Sequence, residues 1–251
     1  MSIIPPGLSR LLQFYLSGPL PCPYIPGQVE RKLFTRLTGD EAMDVDINAT
    51  LTRAGFRRSH DIVYRPACSE CNACVPVRIP VSTFSPSRSL RRIAAMNRDL
   101  TLEIASAKVT EENYKLFMAY QTGRHPDSDM ARMSFEDFAH MLYEGEAATH
   151  IYQLREKSSA LAAAIITDHI DDGLSAVYSF FAPDQPRRSL GIQLIQTLID
   201  EAARRGLPYV YLGYWIAASR KMAYKARFRP MQALGPQGWE WMEPVNFIDA
   251  G

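Results

Sequence analysis

The order in which hydrophobic periodicity changes after residue 100 constrains this chain more than any other feature. Thr101 to Val109 alternates with the period of two expected of a half-buried strand. Thr110 then predicts a helix N-cap, with Glu111 and Glu112 in the first turn and Tyr114, Phe117 and Met118 on one face. Ser134 opens a second helix; Asp137, three residues on, makes an imperfect capping box, and Phe135, Phe138, Met141 and Leu142 form the apolar side. Three strands follow, His150 to Arg155, Ala160 to Thr167 and Leu174 to Phe181, the last two joined by a turn at Asp171, Asp172 and Gly173. Ser189 to Arg205 reads as a long helix stopped by Gly206, Pro208 to Tyr214 as a buried strand, and Ser219 to Phe228 as a short basic helix. The pattern predicts an α+β domain over 101–251.

Residues 1–100 read differently. Pro- and Cys-rich stretches such as Pro19 to Pro26 and Pro66 to Pro80 interrupt any long periodic run, which predicts a smaller, irregular, loop-rich domain. The apolar run Leu11, Leu12, Phe14, Tyr15 and Leu16 lacks a basic start and a small-residue cleavage site, and no segment is long enough to span a bilayer. A cytoplasmic protein with no membrane partner is therefore expected, in a compartment where thiols stay reduced. There, four cysteines point to metal or chemistry before disulfides. Cys68, Cys71 and Cys74 stand at two successive Cys-two-residue-Cys spacings, and Cys22 supplies a fourth thiol, a set suited to zinc or an iron–sulfur cluster. The alternative is a buried, reduced cluster that helps close the Pro-rich fold.

The net charge of +1 gives no global argument for nucleic acid. Locally, basic residues gather at Arg53, Arg57, Arg58 and Arg65, at Arg88, Arg91, Arg92 and Arg98, and from Arg220 through Lys221, Lys225 and Arg227 to Arg229. Each cluster suits a phosphate-bearing partner or, more simply, a solvated face.

The element order resembles the GCN5-related acyltransferase fold, in which the fourth strand and the following helix hold the pyrophosphate of an acyl-CoA on backbone amides. The usual signature there is Arg or Gln, two residues, Gly, one residue, then Gly or Ala. Here Arg188, Gly191 and Gln193 occupy those places, and the long Gln193 is expected to crowd a pyrophosphate. A sharper resemblance covers nearly the whole chain. It is carried by CPYIPGQVERK from Cys22 to Lys32, GFRRS from Gly55, YRPACSECNAC from Tyr64 to Cys74, VYSFF from Val177, RSLG from Arg188, and YLGYW from Tyr211 leading to KMAYKARFRP from Lys221. In order and spacing these are similar to the aminoacyl-tRNA–protein transferases, particularly the short bacterial aspartate/glutamate leucyltransferases. The stretch Pro126 to Met130 departs from the family by lacking a glycine pair.

The resemblance implies an enzyme that moves leucine from leucyl-tRNA to the α-amino group of proteins beginning with Asp or Glu, marking them for N-end rule degradation. An arginyl-tRNA-dependent transferase, an acyl-CoA-dependent N-acetyltransferase and a non-catalytic adaptor are the alternatives. The aminoacyl ester is already activated, so no cofactor is required; the enzyme must position the amine, keep it unprotonated and stabilise an oxyanion. In such a scaffold the reacting groups meet where the fourth and fifth strands splay. That implies catalytic roles for Tyr178, Ser179 and Tyr214, with Gly213 and Trp215 beside them. Arg57, Arg58, Trp215, Lys225, Arg227 and Arg229 are the candidate substrate-binding residues, because cations suit both an acceptor carboxylate and tRNA phosphates. His125 and Asp184 are candidate bases. The resemblance associates such cysteines with iron–sulfur sensitivity, which leaves zinc, an iron–sulfur cluster and a metal-free thiol cluster all open, and no part in the transfer step is expected of them.

Overall fold

In the computed structural model, which describes residues 12–142 and 148–243, the N-terminal part carries more regular structure than its composition predicts. Strands Tyr15–Leu16 (β1), Leu20–Pro21 (β2), Val29–Glu30 (β3) and Lys32–Arg36 (β4) precede a helix, Glu41–Arg53 (α1), and strands Arg57–Ser59 (β5) and Ile62–Pro66 (β6) follow it. These give a four-stranded sheet in the order β1-β4-β6-β5 and a β2-β3 hairpin. The strands are too short for alternation to show in the sequence. The helix was hidden for another reason: it buries polar Asp44, Asn48 and Thr52 beside Ile47 and Leu51, so it has no clean apolar stripe. Leu11, at the head of the early apolar run, lies outside the described residues.

The rest of the chain builds one large sheet. Its elements are Val75–Pro80 (β7), Arg88–Met96 (α2), Thr101–Ser106 (β8), Glu111–Arg124 (α3), Phe135–Met141 (α4), Thr149–Arg155 (β9), Leu161–Ile170 (β10), Gly173–Phe181 (β11), Leu190–Arg204 (α5), Tyr209–Trp215 (β12), Arg220–Ala223 (α6), Gln232–Gly235 (β13) and Gly238–Trp241 (β14). The order is β14-β13-β7-β12-β11-β10-β9-β8. Every neighbouring pair is antiparallel except β11 and β12, which run parallel. The anticipated caps form: Thr110 accepts from the Asn113 amide, and Ser134 and Asp137 make a reciprocal capping box. β7 comes from before residue 100 yet pairs with β12 on one side and β13 on the other, so the large sheet draws on both sides of the expected division.

Both faces of the sheet are covered. Ala163 and Ile165 face one core with Leu174, Val210 and the α5 residues Leu194, Ile195 and Leu198. Ala164 and Ile166 face the other, where Phe117 of α3 stacks on Phe138 of α4 at 4.4 Å. The N-terminal sheet is fastened to this frame by buried polar contacts, chiefly Arg58 to Asp168 and the Tyr214 hydroxyl to the carbonyls of Gly55 and Tyr64.

Candidate active site

The parallel pair β11 and β12 comes apart along its length. Gly173, Leu174 and Ser175 pair with Tyr209, Val210 and Tyr211; beyond that point β11 and β12 diverge. In β12 the divergence is local to Gly213, whose φ of +65° accompanies a register break against β7 between Tyr211 and Tyr214. A cavity of about 700 Å³ opens in the splay. Ile165, Val177, Leu212 and Ile195 give it apolar walls, Tyr178, Ser179 and Gln121 give it polar atoms, and the head of α5 from Ser189 to Ile192 closes one end. Gly191 is required there, because a Cβ would stand 2.9 Å from the Phe181 ring.

Charge in the cavity has one sign. Arg57, Arg124, Arg220, Lys221, Lys225 and Arg227 line it together with His125, and the described lining contains no Asp or Glu. Arg57 reaches in from β5, passes over Gly213, where a Cβ would lie 3.2 Å from its Cδ, and donates to the Val177 carbonyl. Lys225 is 5% exposed, and its Nζ donates to the carbonyls of Leu212 at 2.7 Å and Tyr214 at 2.6 Å. Burial first, and then the Arg57 charge, hold its pKa well below the ordinary lysine value. The Tyr178 hydroxyl accepts from Gln121 Nε2 at 2.7 Å, and burial pushes its pKa to about 12, so it stays a neutral donor. His125 caps α3 and lines the cavity with a pKa lowered by burial, then by Lys221 and Arg124.

Of the site residues inferred from sequence, Tyr178, Ser179, Arg57, Lys225, Arg227 and the candidate base His125 meet in this cavity. The others do not. Arg58 is 4% exposed and paired with Asp168, so its charge is spent inside the fold. Tyr214 is 2% exposed, is absent from the cavity's described lining, and pins the N-terminal sheet through Gly55 and Tyr64. Trp215 packs into the α5 core. Arg229 donates to the carbonyls of Ala226, Met242 and Glu243, tying down the C-terminal strands. Asp184 does not line the cavity. A Tyr214→Phe chain should lose about 1–3 kcal/mol of stability in denaturant unfolding, because the one hydroxyl proton shared between the Gly55 and Tyr64 carbonyls is removed from a buried position, while its transfer rate stays near that of the parent.

Sequence reasoning missed Tyr24, Tyr120, Gln121 and Arg124. Gln121 left one signal: it sits one turn after Phe117 on the apolar side of α3, a polar residue in a core stripe. The helix-head signature also behaves differently from expectation. Arg188 is held by Asp99 at 2.5 Å and by Asn97 and Glu156, so it anchors the turn. Gln193 does not line the cavity, and its amide runs along the helix to Thr197 at 3.5 Å.

The four cysteines are half-buried free thiols. The Cys74 pKa is pushed up to about 11 by burial, then by Cys22, Cys68 and Cys71, which places the four as neighbours. Among the described residues, however, no three His, Cys, Asp or Glu side chains are arranged to hold an ion. The four thiols stand together, and no chemical step is routed through them.

Two family models match the chain: "Arginine-tRNA-protein transferase, N terminus" over residues 20–92 and "Arginine-tRNA-protein transferase, C terminus" over residues 112–235. An aspartate/glutamate leucyltransferase of Parvibaculum lavamentivorans is 49% identical over 92% of this chain and 95% of its own length. Proteins of the same name from Paramagnetospirillum magneticum and Rhodospirillum rubrum are 48% and 49% identical over 94% and 90% of this chain, and over 96% and 92% of themselves. Among solved structures, a C-terminal DUF2156 domain from Agrobacterium fabrum, of a protein titled a lysylphosphatidylglycerol synthetase, aligns with a TM-score of 0.50 at 14% identity. The match covers 82% of this chain and 64% of that one, and it bears on the fold alone, a GCN5-like acyltransferase arrangement.

Proposed function

This chain belongs to the arginine-tRNA–protein transferase family, and from that premise we propose that it moves leucine from leucyl-tRNA to the α-amino group of proteins whose first residue is Asp or Glu. The names of its relatives support leucine as the donor. One observation carries the reading independently: six cationic side chains and no carboxylate stand in the cavity's described lining. A guanidinium donor group would enter that field unpaired, at a cost no contact there repays. A leucyl side chain instead meets the apolar walls at Ile165, Val177, Ile195 and Leu212. The same cations suit the two anions that must converge, the phosphates of the tRNA acceptor end and the side-chain carboxylate of the acceptor protein.

The chemistry follows from the ester's own activation. The acceptor nitrogen attacks the aminoacyl carbonyl, the C–N bond forms, the C–O bond to the ribose breaks, and the oxyanion needs a donor. Tyr178, neutral and held by Gln121, is the group we assign to it, with Ser179 beside it. The transfer needs no cofactor in this scheme. A product bearing N-terminal leucine then becomes a substrate for N-end rule degradation in the cytoplasm. No helix among the described residues is long and apolar enough to cross a membrane.

The deciding experiment crosses leucyl-tRNA, arginyl-tRNA and acetyl-CoA with peptides that differ only in their first residue. Label should pass from leucyl-tRNA to peptides beginning with Asp or Glu; arginine incorporation at a comparable rate would overturn the donor assignment. Binding of leucyl-tRNA should also weaken about 10- to 20-fold between roughly 50 and 200 mM salt if about three phosphates of the single-stranded end are contacted. Filter binding across that range checks it, and a flat response would remove the phosphates from the cavity.

A further inference from the structure

Lys225 is an unusual cation for a site that binds anions. It is almost wholly buried, it meets no carboxylate in the cavity lining, and two backbone carbonyls already occupy its Nζ. Those carbonyls belong to Leu212 and Tyr214, on either side of the Gly213 bulge that opens the splay. The position therefore comes from the same irregularity that makes the cavity. An amine carries two N–H groups and one lone pair. With both N–H groups donated to the two carbonyls, a neutral Nζ is satisfied and keeps its lone pair for a third direction. An ammonium would hold an extra proton against Arg57, with no carboxylate in the described lining to repay it.

We propose that Lys225 is a catalytic residue that takes a proton from the acceptor's attacking nitrogen and delivers it to the ribose oxygen of the leaving tRNA. This rests on the transferase reading above and deepens it. As the C–N bond forms, the nitrogen becomes positively charged and its proton passes to the Nζ lone pair. As the C–O bond breaks, the same proton goes to the departing ribose oxygen, so one proton moves from nitrogen to oxygen and Lys225 ends as it began. No other reactant is consumed. The recognition role first expected of Lys225 passes to the other cations of the cavity.

The electrostatics agree with the geometry. Burial lowers the Lys225 pKa most, Arg57 from β5 lowers it further, and the thiol of Cys74, just before β7, acts in the opposite direction. Because the shift is downward, the neutral form persists to lower pH than in an exposed lysine. Transfer should then fall as acidity rises through the lowered value.

Lys225→Arg separates this role from carboxylate recognition, since a guanidinium keeps the charge and cannot accept a proton. The variant should bind leucyl-tRNA and an Asp-initiated peptide as the parent does, yet transfer about 10²–10⁴-fold more slowly in single turnovers near neutral pH. The loss should be the same whatever the first residue of the peptide, and it should narrow as pH rises. A Lys225→Arg rate near the parent's would overturn the proposal. Should the variant fail to fold, the unaltered protein answers: trace acetylation with acetic anhydride, read by peptide mass spectrometry across pH, compares Lys225 with exposed Lys115 and Lys157. Lys225 should keep reacting to lower pH than the exposed lysines do, and a profile shared with them would refute it. If the parent protein transferred no leucine at all, the functional reading would fall while the acetylation profile stood.

Discussion

Replacing Arg58 by methionine should lower the unfolding free energy by about 3–5 kcal/mol, the usual consequence of stripping one partner from a buried ion pair. Arg58 approaches Asp168 through both Nε at 2.7 Å and Nη2 at 2.6 Å, one to each carboxylate oxygen. Their side chains are 3% and 1% exposed. Asp168 also accepts from Asn48 of α1 at 3.0 Å and from Thr149 at 2.9 Å, so the pair fastens the N-terminal helix and strand to the edge of β10. Without the guanidinium the carboxylate stays buried with neutral partners only. Arg58→Met combined with Asp168→Leu should recover much of the loss, because the cost lies in the orphaned charge more than in the missing attraction. Denaturant unfolding of the single and double variants measures this. If Arg58→Met kept full stability but lost acceptor binding, Arg58 would be a substrate ligand after all, and the frame would have to be held elsewhere.

The contrast between Arg58 and its neighbour shows where sequence reading stops. Successive side chains of a strand point to opposite faces, so within GFRRS one arginine had to face the cavity and the other the interior, and the sequence gives no parity. Parity depends on which face of β5 meets the large sheet, which only the docking of two sheets decides. Signals that are local did carry through: the Thr110 and Ser134 caps and the strand–helix order after residue 100 depend on neighbours within a few residues. Long-range choices did not. β7 follows the cysteine stretch, reads Pro-Val-Arg-Ile-Pro after Val75, and still becomes a central strand, because its prolines fall where β12 breaks register and at the end of pairing. Similarly, Lys225, Arg227 and Arg229 form one basic run in the sequence and read alike as candidate substrate-binding residues. The segment Tyr224–Arg227 is a tight 3-10 turn, so one cation is buried in the site, one reaches its rim, and one braces the C-terminal strands.

Arg57→Met should cut transfer to Asp- and Glu-initiated peptides by about 30- to 5,000-fold, equivalent to about 2–5 kcal/mol for a desolvated charge contact. Its guanidinium stands in the splay, held by the Val177 carbonyl and by the close pass over Gly213, within the electrostatic reach of Tyr24, Tyr64, Tyr214 and Tyr224 and with no carboxylate in the described cavity lining. A planar fork with spare donors and no anion is suited to accept one, and an Asp or Glu side chain is the anion the acceptor brings. Selectivity is the diagnostic. The parent should prefer an Asp peptide over its Asn counterpart, Arg57→Met should level the two, and Arg57→Lys should fall between them because it keeps charge without the fork. Equal weakening of leucyl-tRNA binding would instead make Arg57 a phosphate contact. A second consequence is coupled to the first through Lys225. Arg57 is the charge that depresses the Lys225 pKa after burial itself, so its removal lets that pKa rise and moves the acidic limb of the pH–rate profile upward. The Asn peptide, which has no carboxylate to lose, isolates this effect: its transfer by Arg57→Met should be slowed at acidic pH and approach the parent's at alkaline pH. A profile unchanged in position would break the link between the two cations and leave Arg57 with acceptor recognition alone.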